Sequence, residues 1–530
     1  MGNSSCAFLL TEKKVIKKQT HIVAKTISKA APKTIKDIIR NFNYIASTKN
    51  IILYFNTKSF PIQPLFEKRQ KILILPIRYD IIIQTKTKRG DSMSNIENID
   101  VNYKNKKRYN TAKYPIRQPL FFVYLIWILS KIALIGKKYK VEKINMEGLK
   151  PPYMVLSNHM YFIDFELTAL ATFPHRVNNV VNLDGYYRRP WLMELIGAIG
   201  TRKFTTDLHL IKSIYKTLKR GDVLCMYPEA RYSPCGITSY IPDSVGMLVK
   251  RSRVPVVAVV HRGNHLNSPF WNFRKKRKVP LHTTATKILT PENIDKMSAD
   301  EINAKIREAL TYDDYKYQRD NGILITEPYR AEGLHKILYQ CPSCLTESKM
   351  SSAGDEIFCT ECGKRWRLNE DGSLSAKDGK TEFERVPDWF LWEREQVKAQ
   401  IERGEYSFED EVDVYSQPRC WRFEHLGAAK LSHDAEQGFL LTGEYNGAPY
   451  RINRKPIQSN SLHIEYDWCY VKPFDCVDIS TENDSFFCYP KKQNVVTKLA
   501  FATEIIYDIH LSETVRQKEA RRKAKNATIQ

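Results

Sequence analysis

Apolar and polar positions follow three rhythms along the 530 residues. The first is a block. Residues 119–136, PLFFVYLIWILSKIALIG, are almost continuously apolar, with Lys131 as the one charge. A membrane-spanning helix needs about 20 such residues, and this block falls just short. Arg117 precedes it and Lys137, Lys138 and Lys140 follow. Cations on both sides orient a span poorly but suit a helix lying on an anionic lipid surface. The block is therefore expected to be an interfacial helix.

The second rhythm alternates short apolar runs with helical periodicity. Residues 153–157 (YMVLS), 176–182, 223–227 and 254–260 read as strands, the first and last two as near-continuous apolar runs that fit a sheet covered on both faces. Between them, helices are expected from about Phe162, over 191–196, and over 208–218, where Leu208, Ile211, Ile214, Tyr215 and Leu218 share one face and Gly221 closes the element. Ser298 and Glu301 form the signature of a capping box opening a late helix. This alternation predicts an α/β domain with a largely parallel sheet.

The third rhythm is short. Residues 388–403 look helical, and from about 412 to 488 come strands rich in Tyr, Phe, Trp and Val, broken by turns such as Asn446-Gly447. A helix is expected over 496–511. A small β-rich domain closed by a helix, such as a pleckstrin-homology-like fold, is predicted. The organisation reads as a basic segment over 1–92, a membrane-associated α/β domain over 93–330 with the interfacial helix at about 119–136, a cysteine-bearing insert over 335–375, the β-rich domain over 385–512 and a basic tail over 513–530 that is expected to fray.

Charge sharpens the picture unevenly. The net charge is +24, and residues 1–92, with 18 Lys and Arg against 5 Asp and Glu, carry 13 of it. That segment has apolar runs but little motif content, and Met93 offers a second start. No secretory signal is expected, and Gly2 with Cys6 does not satisfy a myristoylation pattern. The basic excess suits anionic lipid, phosphorylated substrate or nucleic acid. A local run, Trp271-Asn-Phe-Arg-Lys-Lys-Arg-Lys278, joins aromatics to five cations and is expected to meet an anionic membrane.

Chemistry concentrates after the first buried strand, in Ser157-Asn158-His159-Met160-Tyr161-Phe162-Ile163-Asp164. Five residues apart on one helix, His159 and Asp164 would diverge by about 140°. With the strand ending near Ser157, His159 falls in the turn and Asp164 in the first helical turn, where it can face back. An imidazole oriented by a carboxylate makes a general base. No G-x-S-x-G element supplies a nucleophile, so the base is expected to act on a substrate hydroxyl. Downstream stand Gly200-Thr201-Arg202-Lys203, then Tyr227-Pro228-Glu229-Ala230-Arg231-Tyr232-Ser233, then Val254-Pro255 opening an apolar strand.

In order and spacing these blocks resemble the glycerolphosphate acyltransferase superfamily, which includes the 1-acylglycerol-3-phosphate acyltransferases. The N-H-x-x-x-x-D block is met in full by Asn158, His159 and Asp164. The F-P-E-G-T-R-S block is met loosely: Tyr227 replaces Phe, Ala230 replaces Gly, Arg231 and Tyr232 replace Thr and Arg. The resemblance covers roughly residues 120–310. It implies His159 and Asp164 as catalytic residues and Asn158, Arg202, Lys203, Glu229 and Arg231 as substrate-binding residues. It also implies an acyl thioester co-substrate, on coenzyme A or acyl carrier protein, and a lysophospholipid or glycerolphosphate-type acceptor. The displaced Arg leaves acceptors other than lysophosphatidic acid open. The expected place is peripheral, on the cytosolic face of a membrane, with phospholipid as partner and nucleic acid not expected. The competing reading is a catalytically inactive membrane- or lipid-binding scaffold whose insert and β-rich domain recruit a partner.

Eleven cysteines without a secretory signal fit a reducing compartment. Cys225 lies in a buried strand and reads as core. Four are spaced as ligands: Cys341-Pro-Ser-Cys344 and Cys359-Thr-Glu-Cys362. Paired C-x-x-C knuckles predict a zinc ribbon, and four thiolates leave no open position on the metal, so a structural Zn2+ is expected.

Overall fold

The near-continuous apolar runs become the central strands of a seven-stranded sheet. In chain order, α1 (Leu120–Ala133) is followed by β1 (Tyr139–Ile144), β2 (Met154–Ser157), α2 (Ile163–Thr172), β3 (Val177–Asn182), β4 (Ile199–Thr201), α3 (Leu208–Lys219), β5 (Val223–Met226), α4 (Ser244–Ser252), β6 (Val256–Arg262), β7 (Leu281–Leu289) and α5 (Ala299–Leu310). The computed structural model describes residues 97–104, 108–468 and 471–527, all within one compact unit, Met93–Gln530. The segment 1–92, with its apolar runs, Gly2 and Cys6, and also Cys469, lie outside the described residues.

The strand order is β1-β7-β6-β2-β5-β3-β4. Every neighbouring pair is parallel except β6 with β7. Side chains of successive strand residues point to opposite faces. Met154 and Leu156 of β2 accordingly enter one apolar cluster with Ile214 of α3, Val249 of α4 and Ile306 of α5, while Tyr153 and Val155 enter another with Ala171 of α2. The sheet is therefore covered on both sides, as its apolar strands require. Asp207 caps α3 by accepting the Leu210 N–H, and Gly221, at φ +83°, sits in the left-handed region that ends helices. Ser298 and Glu301 make the reciprocal capping box of α5.

The apolar block forms α1 as expected. One side packs on α2, with Trp127 stacked on Phe173 at 4.8 Å, and Leu120, Tyr124 and Leu129 stay exposed. No helix among the described residues is long and apolar enough to cross a membrane. The basic run needs a correction. Arg274, Lys275, Lys276 and Lys278 face solvent, but Trp271 and Arg277 are buried, with the Arg277 guanidinium over the Trp271 ring and donating to the Arg330 carbonyl.

The cysteine-bearing insert is a four-stranded antiparallel sheet: β8 (Met350–Ala353), β9 (Glu356–Cys359), β10 (Arg365–Leu368) and β11 (Leu374–Ala376). α6 (Val386–Glu402) follows and packs Trp389 against Trp366 of β10. Next come β12 (Ser407–Arg419), β13 (Arg422–Asp434), β14 (Gly438–Tyr445), β15 (Ala448–Arg454), β16 (His463–Trp468), β17 (Phe474–Ser480) and β18 (Ser485–Pro490). They form a second seven-stranded sheet, entirely antiparallel, in the order β15-β14-β13-β12-β18-β17-β16. Asn446 and Gly447 both have positive φ and close the β14–β15 hairpin as their sequence predicts.

The final helix, α7 (Val496–Ala527), overturns the expectation of a frayed tail. Residues 512–527, SETVRQKEARRKAKNA, contain no Gly or Pro and are rich in strong helix formers, so the helix that begins under the β-rich sheet carries on through them.

Candidate active site

The turn between β2 and α2 holds the candidate base. β2 ends at Ser157 and α2 begins at Ile163, so His159 sits in the loop and Asp164 in the first helical turn. His159 Nδ1 lies 3.0 Å from Asp164 Oδ2. That same oxygen accepts the backbone N–H groups of Met160 at 2.5 Å and Tyr161 at 3.0 Å, and Oδ1 accepts from Asn264 Nδ2 at 2.7 Å. Asp164 is fully buried. Burial pushes its pKa up, but hydrogen bonds from His159 and Asn264 and the neighbouring His261 outweigh this and hold it below the ordinary carboxylate range. An ionised carboxylate only accepts. Nδ1 of His159 must therefore carry a proton, which leaves Nε2 as the basic atom.

The His159 side chain is 20% exposed. Burial lowers its pKa below the usual imidazole value, against the opposing pull of Asp164, so the ring is neutral at physiological pH. Tyr227 stacks on it at 3.9 Å and Tyr232 leans against it at 4.3 Å. Ser233 N–H donates to the His159 carbonyl at 2.8 Å, which ties the Tyr227–Ser233 block directly to the base. Ala230 adopts φ +53°, a conformation that costs a side-chain-bearing residue about 1–2 kcal/mol.

The other sequence-predicted residues are placed as follows. The Asn158 amide pairs with the backbone of His261 in β6, donating to its carbonyl at 2.9 Å and accepting its N–H at 2.8 Å. Glu229 is buried and accepts the Ser239 N–H at 2.8 Å, and burial raises its pKa to about 7. Arg202, Lys203 and Arg231 all turn toward the β-rich region. Arg202 Nη2 donates to the Asn483 carbonyl at 3.0 Å. Lys203 Nζ lies 2.7 Å from His463 Nε2. Arg231 Nη2 lies 2.6 Å from Glu504 Oε1 of α7, with both residues buried. Sequence reasoning did not reach Asn264, Tyr227 and Tyr232 as ring partners, or the acids Asp184, Glu465 and Asp478 near Lys203. The alternation His463-Ile464-Glu465 on a strand was the available signal.

No family model matches the chain, and no curated protein matches it. Among solved structures it is similar to the crystal structure of the 1-acyl-sn-glycerophosphate (LPA) acyltransferase, PlsC, from Thermotoga maritima, with 16% identity, 36% of this chain and 78% of that chain covered, and a TM-score of 0.29. Its own sheets are a mixed α/β sheet with mostly parallel strands and a separate antiparallel β-rich one.

The four predicted cysteines do come together. Their sulfurs lie within 4.8 Å of one another, and the pairs Cys341–Cys362 and Cys344–Cys359 are each 3.7 Å apart. Tetrahedral zinc with bonds of about 2.3 Å sets its sulfurs about 3.8 Å apart. The four cysteines therefore fit a closed metal site.

Proposed function

We propose that this protein is an O-acyltransferase that moves a fatty acyl group from a thioester, on coenzyme A or acyl carrier protein, to the hydroxyl of a lysophospholipid or glycerolphosphate-type acceptor. The observation that carries the reading is the 3.0 Å contact of His159 Nδ1 with an ionised, fully buried Asp164, which leaves Nε2 free of its proton in a part-exposed turn. Nε2 takes the hydroxyl proton. The oxygen attacks the thioester carbonyl, a C–O bond forms, and the C–S bond breaks. The imidazolium, stabilised by Asp164, returns its proton to the departing thiolate. General-base catalysis of this kind contributes about 10²–10⁴-fold.

Asn158 acts here by holding the β2 end against β6, and Glu229 by holding the loop after β5. Arg202, Lys203 and Arg231 form the basic side of the site. The exposed apolar face of α1 and the outward cations Arg274, Lys275, Lys276 and Lys278 support docking on an anionic membrane. The strand order and closing helix of the β-rich region support a pleckstrin-homology-like module, and the four cysteines support a structural Zn2+. A scaffold reading draws on one observation: the basic residues of the site are engaged by the β-rich region.

The experiment is transfer of a labelled acyl group from a thioester to a panel of lysolipids in anionic vesicles. Transfer that disappears in His159→Ala, with the melting transition retained, is expected. Tight vesicle binding with no transfer to any acceptor would favour the scaffold.

A further inference from the structure

A second constellation lies where the turn after β3 meets β16. One carboxylate oxygen of Asp184, one of Glu465 and a ring nitrogen of His463 lie within 4.8 Å of one another. His463 Nε2 is 3.0 Å from Glu465 Oε1, and Nδ1 is 3.3 Å from Asp478 Oδ2. His463 and Asp478 are direct cross-strand partners of β16 and β17, so the register itself aims one at the other. A histidine held through one nitrogen by a carboxylate, while its other nitrogen faces further acidic oxygens, has the arrangement that orients metal-ligating imidazoles.

The group now at the centre is a cation. Lys203 Nζ lies 2.7 Å from His463 Nε2. An ammonium has protons to give and no lone pair, so with Lys203 charged Nε2 presents its lone pair and the ring proton sits on Nδ1 toward Asp478; burial of Lys203 pulls its pKa down, against the three neighbouring carboxylates. The lone pair therefore points into a nest lined by Asp184 and Glu465 and already suited to positive charge. The carboxylates of Asp184, Glu465 and Asp478 all act on Lys203, while Arg231 is turned to Glu504 and Arg202, paired with the Asn483 carbonyl, shares only Asp478. A divalent ion in place of the ammonium improves that balance, and the flexible stem of Lys203 lets it withdraw.

We propose that Asp184, His463 and Glu465 bind a divalent transition-metal ion in exchange for the Lys203 ammonium, with Asp478 orienting the imidazole. Imidazole with two carboxylates suits Zn2+, Mn2+ or Co2+. The ion would bridge the α/β sheet, through Asp184, and the β-rich sheet, through His463 and Glu465. It is separate from the four-cysteine site in position and in ligand chemistry.

Co2+ is the probe. The full-length protein is stripped of metal, titrated with Co2+, and followed by absorbance and by metal analysis after desalting. At the four cysteines Co2+ gives intense thiolate charge-transfer bands; at oxygen and nitrogen ligands it gives only weak ligand-field bands. The expected result is two equivalents, the second adding no charge-transfer intensity. His463→Gln and Asp184→Asn should each reduce uptake to one equivalent, with the charge-transfer band retained as the check on fold. Lys203→Met should tighten the second equivalent at least tenfold. Uptake of a single equivalent by the wild-type protein overturns the proposal, as does a second equivalent indifferent to His463→Gln and Asp184→Asn.

Discussion

His159 owes its chemistry to groups that fix one proton. Asp164 holds Nδ1–H, and Asn264 and two backbone N–H groups hold Asp164. His159→Ala should lower acyl transfer by at least about 10²-fold with an unchanged melting temperature. Because burial depresses the His159 pKa and the neutral ring is the working form, activity should hold as pH falls to the ordinary imidazole range. It should be lost only below it, so the acid limb of kcat/KM is expected at an apparent pKa under about 6.5. A limb above that value would remove His159 as the titrating base. Ala230 gives a prediction of opposite sign. Ala230→Gly removes strain at φ +53° and should raise stability by about 0.5–1 kcal/mol, read in urea denaturation, since the relief exceeds the added freedom of the unfolded chain. At this scale the sequence was legible where partners are near neighbours. His159 and Asp164 are joined by one strand–helix turn. Asn264 stands 100 residues further on, and nothing in the local pattern marks it.

Elements were legible in proportion to how fully they are buried. β2, β5 and β6 are apolar but for Ser157, His261 and Arg262 at their ends, and announce themselves. β1 (YKVEKI) and β7 (LHTTATKIL) do not, because β1 lies at the sheet edge and β7 alternates threonines and lysine with small apolar residues. The length of α7 is not legible in the sequence, because its far half has no apolar stripe to betray it. The clustering of the four cysteines was legible, since two short knuckles at fixed spacing carry their own geometry. The insert's sheet is small for an independent core, so metal should stabilise it. Cys341→Ser, or a strong chelator, is expected to lower the melting temperature without a selective loss of turnover. Full stability with turnover abolished would contradict a structural metal. For α1, Leu129→Asp on the exposed face should weaken binding to anionic vesicles, measured by flotation, more than it alters acyl transfer to a water-soluble short-chain acceptor.

Across the whole molecule, the two large sheets are joined through the basic residues of the candidate site. Arg231 of the loop after β5 pairs with Glu504 of α7, which also receives Arg394 of α6. Arg202 and Lys203 reach Asn483 and His463. None of this was legible, because the partners of Arg202, Lys203 and Arg231 lie 260 to 281 residues away in the chain and charge pairing at that distance leaves no periodicity. Glu504→Ala strands the buried Arg231 guanidinium and should cost about 3–5 kcal/mol in equilibrium unfolding, and Arg231→Met with Glu504→Leu should recover only part of it, because Arg394 and Ser461 lose the same acceptor.

This arrangement bears on biosynthesis. A ribosome that has released residues 120–310 has delivered the base and its acid, but not the carboxylate that Arg231 closes upon. Until α7 leaves the exit tunnel, that guanidinium faces a surface left unfinished, and fragments cut at residue 330 should aggregate or require a chaperone. Helix α7, made long after the parallel-stranded sheet, supplies the carboxylate that lets the Arg231 loop of that sheet settle.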